Sequence, residues 1–180
     1  MKTYIRSVEG RINALARVHT VLSLSSWQGA EIRKLIDEEL APYSTGDQIG
    51  LRGPEVQLEP ATAQTVALAL HELVTNSAKY GALSTLSGRL SVSWEDQAGL
   101  LKIVWAETGG PLVEKPVSRG FGTRSVIASI ESQLGGRAEF DWRPEGLICC
   151  LSVPLPPRPF VADPVSLLEA ATDGLRRAGR

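Results

Sequence analysis

Apolar residues recur at spacings of three and four along four segments of the chain, and this periodicity predicts four amphipathic helices. These segments are residues 5–24, 30–41, 60–80 and 123–134. Pro42, Gly81 and Gly135 follow the last three segments and are residues that stop a helix. The first helix has no obvious partner, so we expect its apolar stripe to dimerise or associate.

Alternation of apolar and polar residues predicts the strands. Two short runs, 48–52 and 55–58, stand on either side of Gly53-Pro54 and predict a small hairpin. Longer alternating runs predict two further antiparallel hairpins, formed by 89–94 with 100–105 and by 137–142 with 147–154. This mixture predicts an α+β fold, a two-layer sandwich in which a mixed, mainly antiparallel sheet carries helices on one face.

Composition and charge exclude several classes of partner. With 180 residues, 43% of them apolar, the chain can bury one core or one core with a small appendage. Its 19 basic and 20 acidic residues give no general attraction to nucleic acid or to an anionic membrane. No run approaches the roughly 20 apolar residues that a membrane helix needs, and no signal peptide is recognisable. We therefore expect a cytoplasmic protein that holds any anionic ligand locally.

The two cysteines, Cys149 and Cys150, are adjacent within an apolar run. On a strand they point to opposite faces, and their spacing does not suit a metal site. We interpret both as packing residues.

The third predicted helix carries a polar face opposite its apolar stripe. Glu72, Asn76, Lys79 and Tyr80 fall on this face. A carboxylate and an amide oxygen one turn apart suit Mg²⁺, which prefers oxygen ligands, and a lysine one turn further on suits phosphate. The alternative is that the four residues form the solvated face of an amphipathic helix.

Two glycine-containing segments follow this helix. Glu107-Thr-Gly-Gly-Pro comes directly after an apolar strand and begins a glycine- and proline-rich loop, and Arg119-Gly-Phe-Gly-Thr opens the fourth helix. Glycines before a helix N-terminus allow backbone N–H groups to approach a phosphate. Taken alone, each segment could equally be an ordinary turn.

Together these segments resemble the ATP-binding region of HWE histidine kinases. The run from His71 to Leu83 is similar to the N box of that family, and Trp105-Ala-Glu107 to its Trp-x-Glu signature. Residues 107–111 and 119–123 resemble its two glycine boxes, and the resemblance extends over about residues 13–155. It implies the Bergerat ATP-binding fold of the GHKL group, in which ATP lies between helices and sheet under a mobile lid.

The resemblance also implies roles for the residues of the N box. Asn76 would coordinate Mg²⁺ that bridges the nucleotide phosphates, and Glu72 would act as base or polarise through water. Lys79 would pair with phosphate, and Tyr80 would line the pocket. His71, the diagnostic histidine, would have a supporting role beside the pocket.

The remaining implied roles concern the base and the lid. Glu107 stands where most members of the group have an aspartate that accepts from the adenine amino group, and Trp105 would be core or pocket wall. Gly109 and Gly110 would let the backbone close on the nucleotide, and Gly120 and Gly122 would hinge the lid and expose amides to phosphate. Phe121 and Thr123, next to the lid glycines, would also contact the cofactor.

Three segments follow from this resemblance: a partial dimerisation helix with linker over 1–43, a catalytic ATP-binding domain over 44–156, and a linker with a short helix over 157–180. The motif that carries the phosphate-accepting histidine, resembling His-Arg-x-Lys-Asn, is missing, and His19 is expected to be an ordinary helix residue. We therefore expect a fragment of a longer kinase or a naturally short relative, and no autophosphorylation by this chain alone.

The predicted function is that of a two-component histidine kinase domain that uses ATP and Mg²⁺ to phosphorylate a histidine elsewhere. Its expected partners are the receiver domain of a response regulator and a second copy bound through the N-terminal helices. One alternative is a pseudokinase or adaptor that engages a response regulator. A second, an anti-sigma-type serine kinase, is opposed by Trp-x-Glu and by Leu40-Ala-Pro-Tyr43.

Overall fold

The computed structural model describes residues 2–25, 27–43, 46–112 and 120–156. Its helices are α1 (Lys2–Leu24), α2 (Ile32–Leu40), α3 (Pro60–Tyr80) and α4 (Phe121–Ile127), which continues into a π-helical segment, Ala128–Gln133. Its strands are β1 (Ala30–Glu31), β2 (Ile49–Arg52), β3 (Gln57–Leu58), β4 (Arg89–Gln97), β5 (Leu100–Thr108), β6 (Arg137–Arg143) and β7 (Gly146–Pro154). The predicted C-terminal linker and helix, and Arg119 of the second glycine box, lie outside the described residues.

The main sheet has five strands in the order β2-β4-β5-β7-β6. Strand β2 pairs with β4 in parallel, whereas the other three pairs are antiparallel. Along β4, β5 and β7, buried residues alternate with more exposed ones, so one sheet face lies on the core. The predicted α+β fold with a mixed, mainly antiparallel sheet is confirmed.

Helix α3 is the main helix packed on this sheet, and it has the bounds that the sequence predicts. Pro60 stands in its first turn, where its missing N–H costs no helical hydrogen bond. Every member of its predicted apolar stripe is buried: Ala63, Val66, Ala67, Leu70, Leu73, Val74 and Ser77. Gly81 ends the helix in an extended conformation, so it is not a left-handed cap.

The predicted β4–β5 hairpin is confirmed, with a two-residue turn at Ala98-Gly99. Both residues have positive φ, 52° and 88°. Positive φ at both turn positions gives the twist that matches antiparallel strands, which is why glycine stands second. The β6–β7 hairpin, with its turn before Gly146, is confirmed as well.

The predicted hairpin between residues 48–52 and 55–58 is wrong. Strand β2 joins the main sheet beside β4, while β3 pairs with β1 in a separate two-stranded sheet. Gly53 lies flat on the Trp94 indole, where a Cβ would be 2.3 Å from the ring, and Trp94 Nε1 donates to the Pro54 carbonyl at 2.8 Å. These contacts carry the chain away from β2, so the strands do not pair with each other.

Helix α1 has a partner within the chain, contrary to the sequence-based expectation. It packs mainly on α3, and Ala14, Val18 and Leu22 are buried there. Ile12 and Leu15, in contrast, remain 59% and 41% exposed. The apolar stripe of α1 is therefore divided between the core and the surface.

Two smaller expectations concern the membrane and the cysteines. None of the helices in the described residues is long and apolar enough to cross a membrane. Cys149 is buried and Cys150 half-buried, as expected for neighbours on opposite faces of a strand. Burial, together with the nearby Cys150 and Glu107, raises the pKa of the Cys149 thiol, which makes it a poor nucleophile.

Candidate functional site

The polar face of α3 meets the start of α4. Glu72 is buried, Asn76 is half-buried, and Gly122 lies directly on both side chains. A Cβ at Gly122 would be 2.9 Å from Asn76 Nδ2 and 3.1 Å from Glu72 Oε2. A larger residue at position 122 would displace these side chains, so the N box and the second glycine box are in direct contact.

Arg11 of α1 also reaches this site. Its Nε donates to Glu72 Oε1 at 2.7 Å, a second guanidinium nitrogen donates to the Ser125 hydroxyl, and its guanidinium carbon is 4.6 Å from the centroid of the Phe121 ring. One side chain therefore connects α1, α3 and α4. Neither Arg11 nor Ser125 is predicted by the sequence pattern, because contacts across 61 and 114 residues leave no local signal.

A second group of residues gathers at the C-terminal end of α3, around Glu107. Glu107 lies within β5, whereas the sequence placed it at the start of a loop. Its Oε1 accepts from the Trp105 indole N–H at 2.7 Å, and its Oε2 accepts from the Ala82 backbone N–H at 2.8 Å. A Cβ at Gly81 would be 1.8 Å from Oε2, so this glycine permits the close approach of the helix end to the carboxylate.

The first glycine box lies against the loop that follows α3. Gly109 has a positive φ of 70°, and its carbonyl accepts from the Ser87 hydroxyl at 3.1 Å. A Cβ at Gly110 would be 2.9 Å from the Gly81 carbonyl carbon. These two backbone approaches hold the loop after β5 beside Glu107.

His71 faces away from Glu72 and Asn76, towards α2. Its Nδ1 is 2.8 Å from Glu39 Oε2, and Glu39 also accepts from Arg17 at 2.7 Å. Burial by itself would raise the pKa of Glu39, but the hydrogen bonds from His71 and Arg17 outweigh it and lower that pKa. The His71–Glu39–Arg17 cluster thus ties α3 to α2 and α1.

The remaining candidates are more exposed. Lys79 and Tyr80 lie on the last turn of α3, between the Glu72 and Glu107 groups along the helix, and both side chains face solvent. At the start of α4, Gly120 and Phe121 are exposed and Thr123 is buried. The N box on α3 therefore meets the second glycine box along one side of the helix and the first glycine box at its C-terminal end.

Two open grooves lie elsewhere on the molecule. One of about 500 Å³ runs along the sheet between Arg52 and Lys102, and another of about 840 Å³ lies between Glu31 and Leu155. Neither is lined by a candidate residue. At the candidate site, Gly122 of α4 lies on Glu72 and Asn76, and Arg11 binds Glu72.

The donor set at Glu72 and Asn76 suits a hard cation that brings most of its own ligands. Both side chains offer oxygen atoms one helical turn apart. Among the described residues there is no group of three or more histidine, cysteine, aspartate or glutamate side chains that could hold a metal. Mg²⁺ fits this arrangement, because it keeps several waters and commonly binds through one or two protein oxygens plus phosphates.

Comparison with known proteins places these features in context. Residues 1–55 match the family model of the HWE histidine kinases. The blue-light-activated histidine kinase of Rhizobium johnstonii is 38% identical over 154 residues, which are 84% of this chain and 44% of that protein. The protein of the same name from Brucella anthropi is 32% identical over 169 residues, 91% of this chain and 33% of that protein.

A solved structure has the same fold. It is the histidine kinase domain of a blue-light-activated histidine kinase from Erythrobacter litoralis, and it matches with a TM-score of 0.67 at 17% identity. The match covers 83% of this chain and 75% of that domain. The chain spans less than half the length of the curated relatives above, which are therefore longer proteins with additional segments.

Proposed function

Because this chain belongs to the HWE histidine kinase family, we propose that it is an ATP-binding kinase domain of a two-component system. It binds Mg²⁺ and ATP between α3, α4 and the sheet. The γ-phosphate then passes to a histidine other than its own His19 and His71. The alternative of a non-catalytic adaptor is not favoured, since the relatives are histidine kinases.

The observation that carries this proposal is the convergence of three separate sequence boxes on α3. Gly122 lies on Glu72 and Asn76, while Glu107 and Gly110 lie against Gly81. A triphosphate nucleotide needs a cation site, backbone N–H groups for phosphate and an acceptor for its base. The three boxes supply these elements in sequence along one helix.

In this proposal the phosphate end of the nucleotide lies over the middle of α3. Asn76 offers its amide oxygen to Mg²⁺, and Glu72 accepts the proton of the attacking imidazole or polarises it through water. Lys79, one turn further along, neutralises phosphate charge. The N-terminus of α4, with Gly120, Phe121, Gly122 and Thr123, offers backbone N–H groups to phosphate and moves as a lid.

The base end lies at the end of α3. Glu107 accepts from the exocyclic amino group of adenine, Gly109 and Gly110 close on the nucleotide, and Tyr80 lines the pocket. His71 supports the site from behind, because its contact with Glu39 holds α3 on α2. Arg11 forms an ion pair with Glu72. This ion pair has to break before the Glu72 carboxylate can act as a base.

Two protein partners complete the proposal. A response regulator receives the phosphoryl group through its receiver domain, as expected of a two-component kinase. A second copy of the chain associates through α1, on which Ile12 and Leu15 are exposed.

Isothermal titration of a non-hydrolysable ATP analogue, with and without Mg²⁺, tests the proposal. We expect Mg²⁺-dependent binding by the wild type and a loss of about tenfold or more in Asn76→Ala, because the cation loses a protein ligand. Asn13→Ala, an exposed asparagine on α1, is the matched control and should bind like the wild type. Absence of binding by folded wild type would refute the nucleotide site.

A further inference from the structure

Glu107 is a buried carboxylate that has no cationic partner among the described residues. Its exposure is 4%, and none of the ion pairs found among the described residues includes it. Burying a carboxylate without a positive partner is costly, and such groups concentrate at functional sites. The position of Glu107 therefore calls for a reason beyond packing.

Two neutral N–H groups hold this carboxylate, one on each oxygen. The Trp105 indole N–H donates to Oε1 at 2.7 Å and the Ala82 backbone N–H donates to Oε2 at 2.8 Å. Residues two apart on a strand share a face, so β5 presents Trp105 and Glu107 side by side. Each carboxylate oxygen still has acceptor capacity for a ligand.

Two donors are needed because a glutamate side chain has one more rotatable bond than an aspartate. Without both contacts the carboxylate could rotate, and its free lone pairs would have no fixed direction. The indole of Trp105 is itself fully buried and cannot move aside. The pair therefore immobilises the longer acceptor.

We propose that Trp105 is a positioning residue for base selection, which acts by fixing Glu107 as the acceptor for the exocyclic amino group of adenine. This inference rests on the proposed nucleotide site. A purine with an oxygen in place of that amino group presents an acceptor to the carboxylate and is rejected. Trp105 thus contributes to selectivity between bases without touching the nucleotide.

The test compares the dissociation constants of non-hydrolysable ATP and ITP analogues by titration calorimetry. ITP carries an oxygen where ATP carries the amino group. We expect Trp105→Phe, which keeps an aromatic ring but removes the N–H, to reduce the ATP preference about tenfold. An equal loss of affinity for both nucleotides would overturn the proposal, because it would mean a structural role alone.

Trp94→Phe is the matched control. Trp94 is also buried, and its indole N–H donates to the Pro54 carbonyl at 2.8 Å, on a neighbouring strand and away from Glu107. This variant loses the same kind of hydrogen bond and should keep the wild-type preference for ATP over ITP. A similar loss of preference in Trp94→Phe would also overturn the proposal.

A double-mutant cycle tests whether Trp105 acts through Glu107. In a Glu107→Asp background the shorter side chain cannot reach both donors, so we expect Trp105→Phe to change the ATP preference no further. Fully additive effects of the two substitutions would contradict an action through Glu107.

A measurement on the wild type covers the case in which Trp105→Phe does not fold. The nitrogen–proton NMR signal of the Trp105 indole should shift more with the ATP analogue than with the ITP analogue. The signal is assigned by elimination, from the signals that disappear in Trp27→Phe, Trp94→Phe and Trp142→Phe. Equal shifts would refute the inference. Wild type that binds neither nucleotide would refute the proposed function itself, whereas unchanged selectivity in a binding Trp105→Phe variant would refute this inference alone.

Discussion

In the part of the chain that the structure describes, three buried glutamates differ in the residues that bind their carboxylates. Glu39 is bound by Arg17 and His71, Glu72 by Arg11, and Glu107 by two neutral N–H groups. A carboxylate enclosed by an arginine and a histidine is committed to structure, whereas one held by a single arginine can exchange it for a ligand, and one held by neutral donors can accept a further donor. The residues around each carboxylate therefore separate a structural role from the two proposed site roles.

The Glu39 cluster makes stability depend on pH. Its folded-state pKa is lowered below the ordinary value of 4.5, so its contribution is complete above that value and is lost as pH falls through the folded pKa. We expect Glu39→Gln to lower the free energy of unfolding by about 1–3 kcal/mol at neutral pH. The difference from wild type should shrink below about pH 4.5.

Denaturant unfolding between pH 7 and pH 3 measures this difference. Glu38→Gln, an exposed glutamate on the same helix, is the control and should change the free energy of unfolding by less than about 0.5 kcal/mol. A difference between Glu39→Gln and wild type that grows as pH falls would contradict the assigned direction of the pKa.

At the scale of single residues, the sequence identifies side chains better than their contacts. The polar face of α3 and Glu107 follow from spacing and from the family resemblance, although their roles stay predictions. The Trp105–Glu107 contact can be predicted from the sequence, because a spacing of two on a strand places both residues on one face. The contact of Arg11 with Glu72 cannot be predicted in this way, because it depends on how α1 crosses α3.

Secondary structure elements show the same division between local and non-local information. The β4–β5 hairpin follows from local turn chemistry at Ala98-Gly99. The pairing of β2 with β4, in contrast, depends on a strand about 40 residues further along the chain. Likewise, the sequence predicts α4 but not its π-helical continuation, after which the Gly136 N–H donates to the Ile130 carbonyl.

Arg11 connects α1 to the beginning of α4, the element that we propose to move as a lid. In Arg11→Ala, α4 loses the contacts with Ser125 and Phe121 that hold it on α1. We expect amide hydrogen exchange in Phe121–Ile127 to become about tenfold faster, because the free energy of local opening falls by the contribution of one or two part-buried polar contacts. Mass spectrometry of exchanged peptides measures this rate.

Arg33→Ala provides the comparison for this experiment. The Arg33 guanidinium carbon is 5.1 Å from the centroid of the Trp94 ring, on the other side of the core from α4. Its removal should leave exchange in Phe121–Ile127 unchanged. Equal acceleration in both variants would mean a general loss of stability and would count against a specific Arg11 contact.

At the scale of the whole molecule, helices α1 and α2 belong to the same hydrophobic core as α3 and the sheet. Val18, Leu22 and Leu35 lie in one cluster with Leu70 of α3 and Ile103 of β5. The division into a segment over 1–43 and a catalytic domain over 44–156 stays a prediction. The shared core implies that the two segments unfold together.

Leu22→Ala tests this cooperativity. Leu22 is fully buried, so its truncation leaves a cavity in the shared core and should lower the free energy of unfolding by about 2–4 kcal/mol. Leu24→Ala, on the same helix but 84% exposed, should change it by less than about 0.5 kcal/mol. Because the cluster is continuous, we expect a single denaturant transition that moves to lower denaturant in Leu22→Ala with an unchanged slope. A separate early transition in that variant would instead show that α1 unfolds independently of the catalytic core.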